Sequence, residues 1–463
     1  MRNYFKKKNM FLLLILLLIS VLVNKGIFGV ISILISTGII SLSLLGVYCT
    51  SVAFYNVFIS FKGFGKAKRD YDLIEDKAKF LILIASHNEE KVIASTIENL
   101  REIDYDKNLY KIMVVNDNST DRTEEECIRV GAEYINTNGG LFEREAVGKP
   151  GGLQYALRYL GFEKLKDEYD LVLVLDADNH VSPNILKELN SQWFAKNKPT
   201  AIQSFLDSKN FDKILSFGYA NAYVVSNRFF QLAKYRLGLP CALGGTGFAV
   251  TTEYLINSGG FNYKSLTEDL EMEIDIVNNG GEVLWNHFGR IYDEKPDDIK
   301  ISIKQRTRWM QGHWFVAFNN FMPLVTKFFK ERKLKYLDQL IYLFGGAKVV
   351  QLTIIILSGI VSIIGKIINS EIIGLSNFYM FVLNSMFNVS IVYLTLLIYQ
   401  MVIIPYYAYK HDTRIEFNFF KMLISSFYYA ITFMYCQLAG LFKWKHQHTW
   451  VKTEHKVKKI KES

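Results

Sequence analysis

The sequence predicts an α/β domain with a mostly parallel sheet, inserted between N- and C-terminal transmembrane helices. Three observations predict it. The 463-residue chain is 50% hydrophobic with a mean hydropathy of +0.11, and its apolar excess lies at the two ends. From about residue 70 to 335 the composition returns to that of a soluble domain. Within that stretch, KFLILIASHNEE, YKIMVVNDNSTDRT and DLVLVLDADNH each run from an apolar strand into polar residues, the first two continuing into a helical pattern. Strand, polar turn and helix, repeated, is the pattern of parallel strands joined by crossover helices.

The elements follow in order. Met10 to Val23 and Ile27 to Ser60 are nearly free of charge, with Asn24 and Lys25 between them. Their lengths suit two crossings, the first one short, so residues 1–69 read as a membrane hairpin. A signal peptide is the competing reading, because Lys6, Lys7 and Lys8 precede an apolar run. No small-residue cleavage site follows, and a second apolar stretch comes at once. Those lysines and the KGFGKAKR run at 62–69 place both ends of the hairpin in the cytoplasm. Residues 70–300 form the α/β domain, and 301–335 carry basic and aromatic residues suited to interfacial helices. Residues 336–442 hold three more apolar stretches, at about 341–364, 378–407 and 419–442. The tail, 443–463, is strongly basic and belongs in the cytoplasm by the same rule. Three crossings would put it outside, so one of the three stretches is expected to be re-entrant or interfacial.

The net charge of +9, from 54 Lys+Arg against 45 Asp+Glu, comes largely from the tail and the membrane-flanking segments. That distribution suits anionic lipid headgroups rather than nucleic acid. Cys49, Cys127, Cys241 and Cys436 are scattered without CxxC spacing, so neither a disulfide framework nor a cysteine metal site follows. No GxGxxG follows the first strand, and no GxxxxGK[ST] loop is present, which sets aside dinucleotide-binding and P-loop domains.

The chemistry gathers where the strands end. In LVLVLDADNHVSP the unbroken apolar run suits a strand covered on both faces, and Asp176 and Asp178 follow at its carboxyl end. Ligands bind at that edge of open α/β sheets. Two carboxylates so close repel unless a cation or donors compensate, and the spacing suits Mg²⁺ or Mn²⁺ shared with substrate phosphates. The other strands bring His87, Asn88, Glu89 and Asp117 to the same rim. Glu268 and Asp269 open a helix behind Thr267, an expected N-cap, and that helix ends at Gly280-Gly281. Two acids also favour a helix N-terminus for purely structural reasons. SIKQRTRWMQGHW places Gln305, Arg306, Arg308 and Trp309 just before the membrane region.

Taken in order, SHNEE, VVNDNSTD, GKPGGLQYAL, LDADN, GGTG, TED and QRTRW resemble the family 2 glycosyltransferases. Within them the resemblance is to the membrane-embedded, processive branch of cellulose, chitin, hyaluronan and poly-N-acetylglucosamine synthases. It covers roughly residues 78–315 and implies a GT-A-like cytosolic domain that binds a UDP-sugar donor. By this resemblance Asp117 holds the uracil, Lys149 lies near the nucleotide, Asp176 sits beside the ribose and diphosphate, and Asp178 is on the metal. Glu89 joins the substrate-binding set. Asp269 of TED is the implied base, with Glu268 beside it. Gln305, Arg306, Arg308 and Trp309 match QxxRW, whose arginine meets the diphosphate and whose tryptophan borders the acceptor. The implied reaction is inverting hexosyl transfer to a growing β-linked polysaccharide, with transfer of one sugar to a membrane lipid as the alternative. Two departures stand out. Asn116-Asp117 replaces the usual paired aspartates, and GGTG replaces the cysteine-containing acceptor-site motif common in cellulose and hyaluronan synthases. The closing TWVKTEH resembles C-terminal segments of some synthases.

Overall fold

The computed structural model describes residues 34–144, 146, 148–345, 348–368 and 377–447. The expected first crossing at Met10–Val23, the lysines before it and the TWVKTEH segment lie outside the described residues. The chain forms two compact units, one within Tyr55–Val349 and Ile398–Ser463, the other within Met1–Phe54 and Val350–Leu397.

The first unit is built on one eight-stranded sheet. Its strands are β1 (Phe80–Ser86), β2 (Tyr110–Asn116), β3 (Glu133–Asn136), β4 (Leu171–Asp176), β5 (His180–Val181), β6 (Ala201–Ser208), β7 (Phe248–Thr251) and β8 (Val283–Asp293). They lie in the order β3-β2-β1-β4-β7-β6-β8-β5. The expected parallel strands are parallel, with Ser86 beside Asn116 and Ala85 beside Asp176, so β1, β2 and β4 end level. Only β7 and β5 run against their neighbours. Because β7 is antiparallel to β4, the GGTG loop that precedes it arrives at the same rim.

The unbroken apolar runs have the cause expected of them. Leu171, Leu173 and Leu175 fill the core on one face, Val172 and Val174 the core on the other, and all are fully buried. Full burial of such a side chain is worth roughly 1.5–3 kcal/mol. That anchorage holds the strand ends in place. The helix opened by the TED motif spans Glu268–Asn278 and stops before Gly280, whose φ of +85° suits glycine. A 33-residue helix, Ile299–Glu331, carries QRTRW. Asp298 caps it, accepting the N–H groups of Lys300 and Ile301 at 2.7 and 3.0 Å.

Four described helices are long and apolar enough to cross a membrane: Leu34–Gly63, Val350–Ile368, Phe378–Asp412 and Phe419–Lys443. In the second unit Cys49, Ala53, Ile355 and Tyr393 form a small buried cluster. In the first unit the last helix, Phe419–Lys443, packs backbone-close on helix Ile214–Ser226. A Cβ at Gly218 would fall 2.8 Å from the Ser425 carbonyl.

A buried ion pair ties the end of helix Phe378–Asp412 to the sheet domain. The Arg228 guanidinium donates to both Asp412 oxygens at 2.7 and 2.8 Å and to the Gly65 carbonyl at 2.7 Å. His287 of β8 lies 3.2 Å from Asp412 Oδ1. Both partners of the pair are almost fully buried. Asp412→Ala would strand the guanidinium without its counter-charge, a loss of about 3–5 kcal/mol. The expected outcome is a clearly lowered thermal midpoint of the detergent-solubilised protein; an unchanged midpoint would contradict this role.

Candidate active site

One cavity of about 380 Å³ opens at the carboxyl edge of β1, β2 and β4. Every residue to which the family resemblance gives a role, except Arg306, lines it: Glu89, Asp117, Lys149, Asp176, Asp178, Glu268, Asp269, Gln305, Arg308 and Trp309. His87 lines it as well, with Nδ1 2.6 Å from the Asp117 carbonyl oxygen. The helix geometry explains the exception. Positions 305, 308 and 309 share a face, whereas 306 is turned about 100° away. Arg306 is fully buried against the last helix, donating to the Tyr429 carbonyl at 3.0 Å and Thr432 Oγ1 at 2.8 Å. Its guanidinium also lies over the rings of Tyr429 and Tyr219, 4.8 and 5.4 Å from their centroids. Arg306 docks a helix; Arg308 faces the cavity.

At one end of the cavity both oxygens of the Asp117 carboxylate are hydrogen-bonded. Arg144 donates to both oxygens at 2.5 and 2.7 Å, and Thr137 Oγ1 donates to Oδ1 at 2.7 Å. The paired glycines of GKPGG make this possible. A Cβ at Gly152 would crowd Asp117 Cγ at 3.2 Å, and one at Gly151 would overlap the Ala146 carbonyl oxygen. Sequence reasoning missed Arg144. It is a lone arginine in a loop, 27 residues from its partner, and no periodicity marks it.

In the middle, Lys149 Nζ bridges Asp176 Oδ1 at 2.5 Å and the Gly245 carbonyl at 2.6 Å. Thr246 Oγ1 accepts the Asp176 N–H at 3.0 Å and is hydrogen-bonded to Asn179. GGTG therefore braces the DxD segment as well as lining the cavity. Asp178 is nearly buried, its Oδ2 accepting the Glu294 N–H at 2.9 Å and its Oδ1 the Asn179 amide at 3.1 Å. Lys209 donates to the Asp178 carbonyl at 2.6 Å. Asp293, at the end of β8, is a wall residue that sequence reasoning also missed. Lys295 Nζ holds its Oδ2 at 2.6 Å, while its buried Oδ1 has no hydrogen-bond partner. Burial raises the Asp293 pKa, Lys295 lowers it, and the Asp178 charge raises it further.

Among the described residues no three His, Cys, Asp or Glu side chains are gathered closely enough to hold an ion unaided. The donor set nonetheless suits a hard divalent cation shared with a phosphate ligand. Asp176 and Asp178 offer carboxylate oxygens, and the orphaned Oδ1 of Asp293 is a further acceptor in the same wall.

At the far end stand Glu268 and Asp269. Thr267 occupies the N-cap position but does not cap: its hydroxyl is buried without a partner, turned toward Gly312 of the long helix. Burial raises the pKa of both acids; the Asp269 charge raises Glu268 further, and Lys149 and Arg308 oppose the shift in each. Arg308 faces Glu268, Asp176 and Asp269, its pKa lowered by burial, and its Nε has no hydrogen-bond partner. An under-used guanidinium among carboxylates is a ready anion site.

Residues 78–312 match the family described as Glycosyltransferase like family 2. The chain belongs to that family, and its mixed, mostly parallel sheet flanked by apolar helices is a GT-A-like fold. Its relatives include the probable glycosyltransferase YdaM of Bacillus subtilis, 27% identical over 58% of this chain and 63% of that protein. They also include the β-monoglucosyldiacylglycerol synthase of Nostoc, 26% identical over 50% of this chain and 48% of that protein. The poly-β-1,6-N-acetyl-D-glucosamine synthase of Staphylococcus aureus is 22% identical over 54% of this chain and 58% of that protein. The chain thus spans between about half and 63% of the length of these relatives. Among solved structures it is similar to the mannosyltransferase PcManGT of Pyrobaculum calidifontis, in complex with GDP-Man and Mn²⁺. That likeness has a TM-score of 0.47 at 16% identity, covering 78% of this chain and 99% of that one.

Asp178→Asn removes a charged oxygen from the donor set. The expected result is loss of the Mn²⁺-dependent gain in UDP affinity, measured by calorimetry with and without the metal. An undiminished gain would show that Asp178 is not a ligand.

Proposed function

We propose that the protein is an inverting hexosyltransferase. It moves a sugar from a UDP-sugar, UDP-glucose or UDP-N-acetylglucosamine, onto a β-linked polysaccharide extended at the cytoplasmic face of the membrane. The observation that carries this reading is the convergence of three distant motifs on one cavity: Asp176 and Asp178, Asp269, and Arg308. Four membrane-grade helices and the basic segment at 62–69 support the membrane setting.

The roles follow from charge and position. Asp117, on the reading carried over from the family, holds the uracil of the donor through the acceptor capacity left on its carboxylate. A divalent metal, Mg²⁺ or Mn²⁺, when bound, supplies positive charge against the diphosphate, and Asp176, Asp178 and Asp293 would hold it. Lys149 and Arg308 add fixed positive charge where the leaving group gains negative charge. Glu89, Gln305 and Trp309 line the space left for the sugars. Asp269 accepts the proton of the acceptor hydroxyl as that oxygen bonds to the anomeric carbon. The bond from that carbon to the diphosphate breaks, and UDP leaves with the electron pair. Attack opposite the leaving group inverts the anomeric centre, giving a β-linked product from an α-linked donor. Burial suits Asp269 to this task, because a raised carboxyl pKa makes a stronger base.

A second reading keeps the chemistry and changes the acceptor to a membrane lipid. It is favoured by the cyanobacterial relatives named as β-monoglucosyldiacylglycerol synthases, 25–28% identical. Product size separates the two: a polymer supports the first reading, a single glycolipid the second.

Asp269→Asn is expected to leave UDP binding nearly intact while kcat falls by roughly 10²–10⁴-fold. Only the ionised carboxylate can take a proton, and its pKa is raised. Wild-type kcat should therefore rise with pH along a limb displaced above the usual carboxylate range. Turnover of the variant within a few-fold of wild type would remove Asp269 as the base and bring Glu268 forward.

A further inference from the structure

The four residues after the last helix, Trp444–Gln447, reach back to the loop before Asp269. Gln447 is almost fully buried. Its Oε1 accepts the backbone N–H of Leu266 at 2.8 Å, three residues before Asp269. Its Nε2 donates to the carbonyls of Trp444 at 2.7 Å and Gln311 at 3.2 Å. Gln311 reciprocates, its own amide donating to the His446 carbonyl at 2.9 Å. Two glutamines thus lace the end of the last helix, the QRTRW helix and the TED loop together.

Glycines bring these backbones into contact. A Cβ at Gly312 would fall 2.6 Å from the Thr267 nitrogen, and one at Gly440 would fall 2.5 Å from Met310 Cβ. Neither separation is possible for a real side chain, so both positions need glycine for close approach. The loop's own bonds, among them Ser265 Oγ donating to the Thr267 carbonyl at 2.9 Å, leave the Leu266 N–H over. Thr267 makes no cap, and Glu271 secures only the outer N–H groups, those of Lys264 and Ser265 at 3.0 and 2.7 Å. The Leu266 N–H is a buried donor that needs an acceptor. Gln447 provides it from 181 residues away.

We infer that Gln447 is a positioning residue for Asp269, making the short stretch Trp444–Gln447 part of the catalytic apparatus. The inference rests on Asp269 as the base. Without the Leu266 anchor the loop is free to shift, and a displacement of about 1 Å at a reacting group can cost on the order of 10²-fold in rate.

The test uses the full chain in lipid nanodiscs, with UDP-glucose and UDP-N-acetylglucosamine as donors and UDP as the binding probe. Gln447→Leu keeps the volume and loses the hydrogen bonds. It is expected to lower kcat about 10- to 100-fold while donor KM and UDP affinity stay within about twofold. Turnover of Gln447→Leu near the wild-type rate would overturn the inference. So would a fall in UDP affinity matching that in kcat, since it marks a packing role only. If Gln447→Leu does not fold, Gln447→Asn, one methylene short of Leu266, carries the same comparison. Asp269→Asn run in parallel separates the two claims. An active Asp269→Asn sinks the base assignment, whereas an inactive one beside an unaffected Gln447→Leu sinks the positioning role alone.

Discussion

Concentrated negative charge at one rim is the constraint on which the rest of the structure depends. Asp176, Asp178, Glu268, Asp269 and Asp293 all face a single cavity. Carboxylates this close raise one another's pKa unless positive charge or donors offset them. The fold supplies both. Lys149 and Lys295 pair directly with Asp176 and Asp293, backbone and amide N–H groups hold Asp178, and Arg308 spreads its charge over three of the acids. The compensation is incomplete. Burial still raises Glu268 and Asp269, and Asp293 keeps an unpartnered oxygen. A site left short of positive charge is suited to a ligand that brings a cation with it.

The same cross-links set the geometry. Lys149 reaches the Gly245 carbonyl as well as Asp176, so the charge pair also fixes the GGTG loop against β4. The QRTRW helix divides its arginines by face, Arg306 to the last helix and Arg308 to the cavity. Whatever moves the last helix therefore bears on the position of Arg308, through Arg306, and on Asp269, through Gln447. The TED loop and the last helix are mechanically one piece within this unit.

Much of this was legible in the sequence, for identifiable reasons. The strands of the parallel core declared themselves because burial on both faces demands apolar residues at both parities, as Leu171–Leu175 shows. The cavity residues declared themselves because parallel strands that end level deliver their next polar residues to one edge. What stayed hidden was set by contacts between distant residues. Arg144 meets Asp117 only because two glycines let its loop close. Asp293 looks like an ordinary strand end until β8 is placed. Arg306 matched a motif by adjacency, although helical geometry turns it away. Thr267 looked like a cap, but its hydroxyl faces Gly312. Gln447 carries no local signal at all.

The central claim is that this rim of carboxylates and cations performs inverting transfer from a nucleotide sugar. Its most direct test is the anomeric configuration of the product, read by NMR after purified protein in nanodiscs is given UDP-glucose or UDP-N-acetylglucosamine with Mn²⁺ or Mg²⁺. The account predicts metal-dependent UDP release and a β-linked sugar in the product. A product that retains the α configuration, or turnover undiminished by a chelator, would contradict it.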